Sequence, residues 1–99
     1  MKNKAYIFIF DRESFTVEEL DKFHNDLTTA QGIVSWWHYL SSAYILIVQE
    51  NIKATDINNF LLKVIPKKHI FVSELNLINH NGFLPPNAWD WIKKQLTSI

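Results

Sequence analysis

Two stretches of this chain are apolar at every position: Ala5-Tyr6-Ile7-Phe8-Ile9-Phe10 and Ala43-Tyr44-Ile45-Leu46-Ile47-Val48. Side chains along a strand alternate between its two faces, so a strand that is apolar throughout must be covered on both. Such strands belong in the middle of a sheet. The two runs also echo one another, each opening Ala-Tyr-Ile.

The segments between them set the order of elements. After the first run, Asp11-Arg12-Glu13-Ser14 breaks the pattern. Thr16 and Glu19 have capping-box spacing, and Glu18, Glu19 and Asp21 favour a helix N-terminus. Leu20, Phe23, Leu27 and Ala30 then make one stripe at helical spacing. Gln31-Gly32 ends that helix, with Gly32 suited to a left-handed C-terminal position. Val34 to Leu40 reads as a second strand, mixed enough for a sheet edge. It places Trp36, His38 and Leu40 on one side and Trp37 and Tyr39 on the other. Ser41-Ser42 turns it back into the second apolar run. A second helix is expected over Ala54 to Ile65, with Ile57, Phe60, Leu61, Val64 and Ile65 on one face and Pro66 as its stop. His69 to Leu75 is the fourth strand.

The order β-α-β-β-α-β predicts an α+β, ferredoxin-like sandwich on a four-stranded antiparallel sheet over residues 1–76. Its two central strands are the two apolar runs. Right-handed crossovers put both helices on one face. If Ile7, Ile9, Ile45 and Ile47 pack under them, then Tyr6, Phe8, Phe10, Tyr44, Leu46 and Val48 line the other face, too much apolar surface to leave wet. Residues 77–99 offer one cover. An Asn81-Gly82 turn signal precedes Pro85-Pro86, and a short helix over Ala88 to Leu96 presents Trp89, Ile92 and Leu96 together. A second copy of the chain offers another, favoured by the aromatic second strand, so a homodimer is expected.

Composition narrows the function classes. There is no cysteine, which excludes disulfides and thiol chemistry and fits a reducing compartment. The first apolar run is only six residues with no small-residue cleavage site, and no run approaches membrane-spanning length. A cytoplasmic protein without membrane association is expected. Formal charge is zero, with Arg12 the single arginine. Residues 1–50 carry four basic and seven acidic side chains, and residues 51–99 carry six and three. That balance gives a weak electrostatic case for nucleic acid.

Trp36-Trp37-His38-Tyr39-Leu40-Ser41-Ser42, the helix after the third strand, and Gly82 with Ala88-Trp89-Asp90-Trp91-Ile92 together resemble small bacterial proteins of the SinR family. These stand near VapD-like proteins and the ferredoxin-like small subunit of CRISPR adaptation complexes. The resemblance covers most of the chain, with Trp36-Trp37-His38 its one distinctive motif. It implies a ferredoxin-like fold and little about function. It also implies a role for Asp11, because an Asp ending the first strand in the CRISPR relatives is associated with a metal at a dimer interface.

Asp11 is therefore a candidate metal or catalytic residue. One carboxylate from each subunit could hold Mg²⁺ and activate water for phosphodiester cleavage. A turn-forming Asp bonded to its own loop explains the same residue, and only Glu13 stands near it in sequence. His38 is a candidate base or ligand, set against a histidine satisfied by a neighbouring carbonyl. His24, His38, His69 and His80 show no ligand spacing on one element. Trp36, Trp37, Tyr39, Tyr6, Phe8, Tyr44 and Trp89 are candidate binding or interface residues. An aromatic sheet face could stack single-stranded bases, although the basic-Gly-aromatic signature of RNA-recognition modules is replaced here by Ser41-Ser42-Ala43-Tyr44. Core and dimer packing is the competing use of the same rings. No cofactor is expected outside the Mg²⁺ alternative. Two functions remain in view: a non-enzymatic homodimeric interaction or regulatory module, and a metal-dependent nuclease or nucleic-acid-binding protein centred on Asp11.

Overall fold

Hydrophobic periodicity decides the elements. In the computed structural model, which describes residues 2–65, 67–97 and 99, the strands are β1 (Asn3–Phe10), β2 (Ile33–Leu40), β3 (Ala43–Gln49) and β4 (Ile70–Glu74). The helices are α1 (Val17–Thr28), α2 (Ala54–Val64) and α3 (Pro86–Gln95), and a 3-10 turn spans Arg12–Ser14. The expected helix stop at Pro66 lies outside the described residues. The sheet order is β2-β3-β1-β4, antiparallel at every pairing. The two wholly apolar runs lie in the two central strands, β1 and β3. This α+β arrangement, an open antiparallel sheet with helices, is compatible with a small ferredoxin-like fold.

Local chemistry sets the helix ends. Thr16 Oγ1 accepts from the Glu19 N–H at 3.1 Å, and Glu19 Oε1 accepts from the Thr16 N–H at 2.8 Å. Two of the helix's orphan donors are thereby satisfied. At α2, the Asp56 carboxylate accepts from the Lys53 N–H at 2.9 Å. α1 ends earlier than Gly32: Thr29 is its C-terminal cap, and Gly32 turns the chain into β2 with φ +92°. A Cβ at Gly32 would lie 2.7 Å from Ile52 Cδ1.

The two sheet faces are assigned opposite to expectation. Tyr6, Phe8, Phe10, Tyr44, Leu46 and Val48 pack under α1 and α2, against Phe23, Leu27, Ile57 and Leu61. Ala5, Ile45 and Ile47 face the C-terminal segment, against Leu77, Ala88 and Ile92. Alternation tells which residues share a face but not which layer lies over it. Size decides that here. The larger rings fill the space beneath two full helices, where Phe8 stacks on Tyr44 at 5.1 Å and meets Phe23 edge-on at 5.6 Å. The opposite face carries Ala5 and Ala43 and accepts one shorter helix with its leading loop. Trp89, Ile92 and Leu96 do share the inward side of that segment.

β2 departs from regular pairing twice. Ile33 pairs with Val48 but Ser35 with Ile47, so Val34 is extra. Trp37 pairs with Ile45 but Leu40 with Ala43, so His38 and Tyr39 together oppose Tyr44. These are β-bulges on an edge strand. The second moves Leu40 to the side of Trp37 and Ala43, away from its expected place beside Trp36 and His38.

Candidate functional site

Three places carry the chemistry-bearing residues. The first is the end of β1. Asp11 is exposed and caps the 3-10 turn: its Oδ1 accepts from the Glu13 N–H at 3.2 Å, and its carbonyl accepts from Ser14 Oγ at 2.7 Å. One carboxylate oxygen is thus engaged by its own loop, an arrangement that Asp favours in turns. Asp11 borders a shallow depression with Ile9, Phe10, His69, Ile70 and Phe71. Among the described residues no three His, Asp or Glu side chains gather to hold a metal ion.

The second place is a cleft of about 310 Å³ between α1 and the β2–β3 hairpin, lined by Arg12, Asp21, His24, His38 and Tyr44 together with Val17 and Leu20. The Tyr44 hydroxyl lies 2.7 Å from His24 Nδ1. Its ring stacks on His38 with centroids 4.0 Å apart and planes 3° from parallel. Burial pushes the Tyr44 hydroxyl up to about 12, so it stays a neutral phenol at physiological pH. His38 Nδ1 donates to the Ala43 carbonyl at 3.0 Å and therefore carries a proton, leaving Nε2 as its other polar atom. Trp36 stands edge-on to His24 at 4.8 Å. This group is a packed lattice of polar rings suited to holding β2 and α1 in register. His24 is the member whose role sequence reading missed. It stands four residues after Leu20 and next to Phe23, a spacing that puts it on the flank of α1 that looks toward the sheet.

The third place is an uncovered strip of the sheet. Across the C-terminal face the registers give three successive rows. Ser35–Ile47–Ala5 lies under α3, where Trp91 Nε1 donates to Ser35 Oγ at 2.9 Å. Trp37–Ile45–Ile7 lies under the loop that carries Leu77 and Leu84. The last row is Leu40–Ala43–Ile9–Phe71, and it runs across all four strands. Three of its members stay open: Leu40 is 51% exposed, Ile9 47% and Phe71 64%.

The aromatic residues divide among these places. Tyr6, Phe8 and Tyr44 are buried beneath α1 and α2, so no base can stack on them from outside. Tyr6 instead donates its hydroxyl to the Ile52 carbonyl at 3.1 Å. Trp37 and Trp89 belong to the C-terminal face, while Trp36 and Tyr39 remain partly exposed on β2. No helix among the described residues is long and apolar enough to cross a membrane. No family model matches the chain, and neither a curated protein nor a solved structure matches it.

Proposed function

We propose that this chain is a ferredoxin-like, non-enzymatic interaction module that acts as a homodimer, joined through the uncovered end of its sheet. The observation that carries the reading is the row Leu40–Ala43–Ile9–Phe71, in which Leu40, Ile9 and Phe71 are left open by the chain's own C-terminal segment around a buried Ala43. Apolar side chains grouped in this way mark contact surfaces rather than ordinary solvent-facing sheet. A twofold contact needs a self-complementary patch, which a nearly uncharged row supplies. Tyr39, exposed on the edge strand beside Leu40, adds the aromatic content that interfaces favour.

Sedimentation velocity over a range of protein concentrations tests this reading. A dimer is expected, converted to monomer by Phe71→Asp and by Ile9→Asp. Both positions are exposed enough for the fold to tolerate the change. A wild-type chain that stays monomeric at millimolar concentration would sink the proposal.

A second reading places Asp11 at work. Asp11 borders the same row, through the depression it shares with Ile9 and Phe71. A dimer across that row would offer a carboxylate from each copy to a hard cation such as Mg²⁺, as the resemblance to SinR-like and CRISPR-adaptation proteins implies. Backbone amide shifts in a Mg²⁺ or Mn²⁺ titration separate the two readings. Saturable changes at Asp11 to Glu13, lost in Asp11→Ala, support the metal-dependent nuclease. Silence up to millimolar Mg²⁺ leaves Asp11 as the cap of its turn.

A further inference from the structure

β4 ends at Glu74 and α3 begins at Pro86, and the connection between them carries no charged side chain, with His80 its one ionisable group. Within it stands the one asparagine of the chain that is followed by glycine, Asn81-Gly82. Both residues are exposed and lie outside any helix or strand. Among the described residues the Gly82 N–H makes no backbone–backbone hydrogen bond. It donates instead to Asn81 Oδ1 at 2.8 Å. The Gly82 nitrogen is therefore held beside the side-chain amide of the residue before it.

This pairing differs from the one at Asn76, whose Oδ1 accepts from the N–H of Ile78, two residues on, at 2.9 Å. Only the nitrogen of the very next residue closes an unstrained five-membered ring on the side-chain carbon. Gly82 also leaves the approach open, because it has no Cβ to shield its nitrogen. The nearest atom to the place of that missing Cβ is Trp89 Cη2, at 3.8 Å. Reacting groups held in contact within one molecule combine far faster than the same groups free in solution.

We infer that Asn81 is a site of spontaneous covalent conversion to aspartate and isoaspartate. The Gly82 nitrogen gives up its proton to solvent and bonds to Asn81 Cγ. The Cγ–Nδ2 bond then breaks, and the departing nitrogen takes up a proton and leaves as ammonia. Water opens the resulting cyclic imide at either of its carbonyls. Attack at Cγ restores a normal backbone with an aspartate side chain. Attack at the main-chain carbonyl leaves that carbon as the carboxylate and routes the backbone through Cγ. The one co-reactant is water, and nothing is oxidised or reduced. Either product sets a carboxylate next to His80 in a connection that had no acid. Isoaspartate also adds a carbon to the backbone between Leu77, buried against the sheet, and α3. The conversion thus changes the charge and the length of the segment that closes the C-terminal face.

Peptide mapping by mass spectrometry tests this on the full chain, held folded at physiological temperature and neutral pH and sampled over time. The fragment carrying Asn81 should gain the mass difference of aspartate over asparagine. It should split into two chromatographic forms, one of them a substrate for isoaspartyl methyltransferase. Asn76 and Asn79, in the same connection, should stay intact over the same interval. Gly82→Ala should lose most of the conversion, and the clearance beside Trp89 lets that variant fold unchanged. A synthetic peptide of residues 77–85 gives the unrestrained rate, which the folded chain should match to within about tenfold if the loop leaves the reacting atoms together. The inference falls if Asn81 converts no faster than Asn76 and Asn79, or if the folded chain is slower than the peptide by more than that margin. It also falls if folded Gly82→Ala converts as fast as the wild type.

Discussion

Tyr44 shows how much a single residue's setting alters its chemistry. In the unfolded chain its hydroxyl ionises near 10; in the fold, burial pushes it up to about 12. A group whose folded value is raised contributes fully below its unfolded value, so that stabilisation is complete up to pH 10 and lost between 10 and 12. Denaturant midpoints tracked through that window should fall, and Tyr44→Phe should remove this part of the fall. Glu19 works in the opposite sense. The hydrogen bond from the Thr16 N–H, with help from Lys68 at 3.5 Å, holds its carboxyl below the usual carboxylate value of 4.5. Its contribution is present above 4.5 and lost as pH falls through the lower folded value, so Glu19→Gln should flatten the acid limb of a stability profile. Thr16→Ala should cost about 1 kcal/mol in urea unfolding, as for other N-terminal caps. Gly32→Ala should cost about 1–2 kcal/mol, because it forces a left-handed alanine against Ile52. The capping pair was legible in sequence because both partners lie within one turn. The Tyr44–His24 bond was not, because its partners are 20 residues apart and only the docking of α1 on the sheet brings them together.

At the scale of elements, strands and helices were readable because each carries its own period. The two uninterrupted apolar runs named the central strands, and the stripes Leu20–Phe23–Leu27 and Ile57–Leu61–Ile65 named the helix faces that enter the core. Face assignment was not readable. A period of two is unchanged when the sheet is turned over, and only the volumes above and below distinguish the sides. The same limit hid the bulges in β2, since one added residue leaves composition untouched while it reverses the parity of every later position in the strand. Leu40 changed sides for that reason. Phe8, with no exposed surface, marks the centre of the helix-covered layer. Phe8→Ala should cost about 3–5 kcal/mol, read from chemical denaturation, because the surrounding rings cannot collapse fully into the space.

At the scale of the whole molecule, the sheet is asymmetric in its cover. One face lies under two helices. The other is closed by α3 and its loop at one end and left open at the row that ends β1. The bulges in β2 bear on a different matter. A sheet edge recruits foreign strands by offering an unbroken ladder of amides and carbonyls. β2 interrupts that ladder twice within eight residues, and the opposite edge, β4, is only five residues long. Neither margin is a good template for strand-by-strand fibre growth. The face-to-face pair proposed above would therefore close without extending into a polymer.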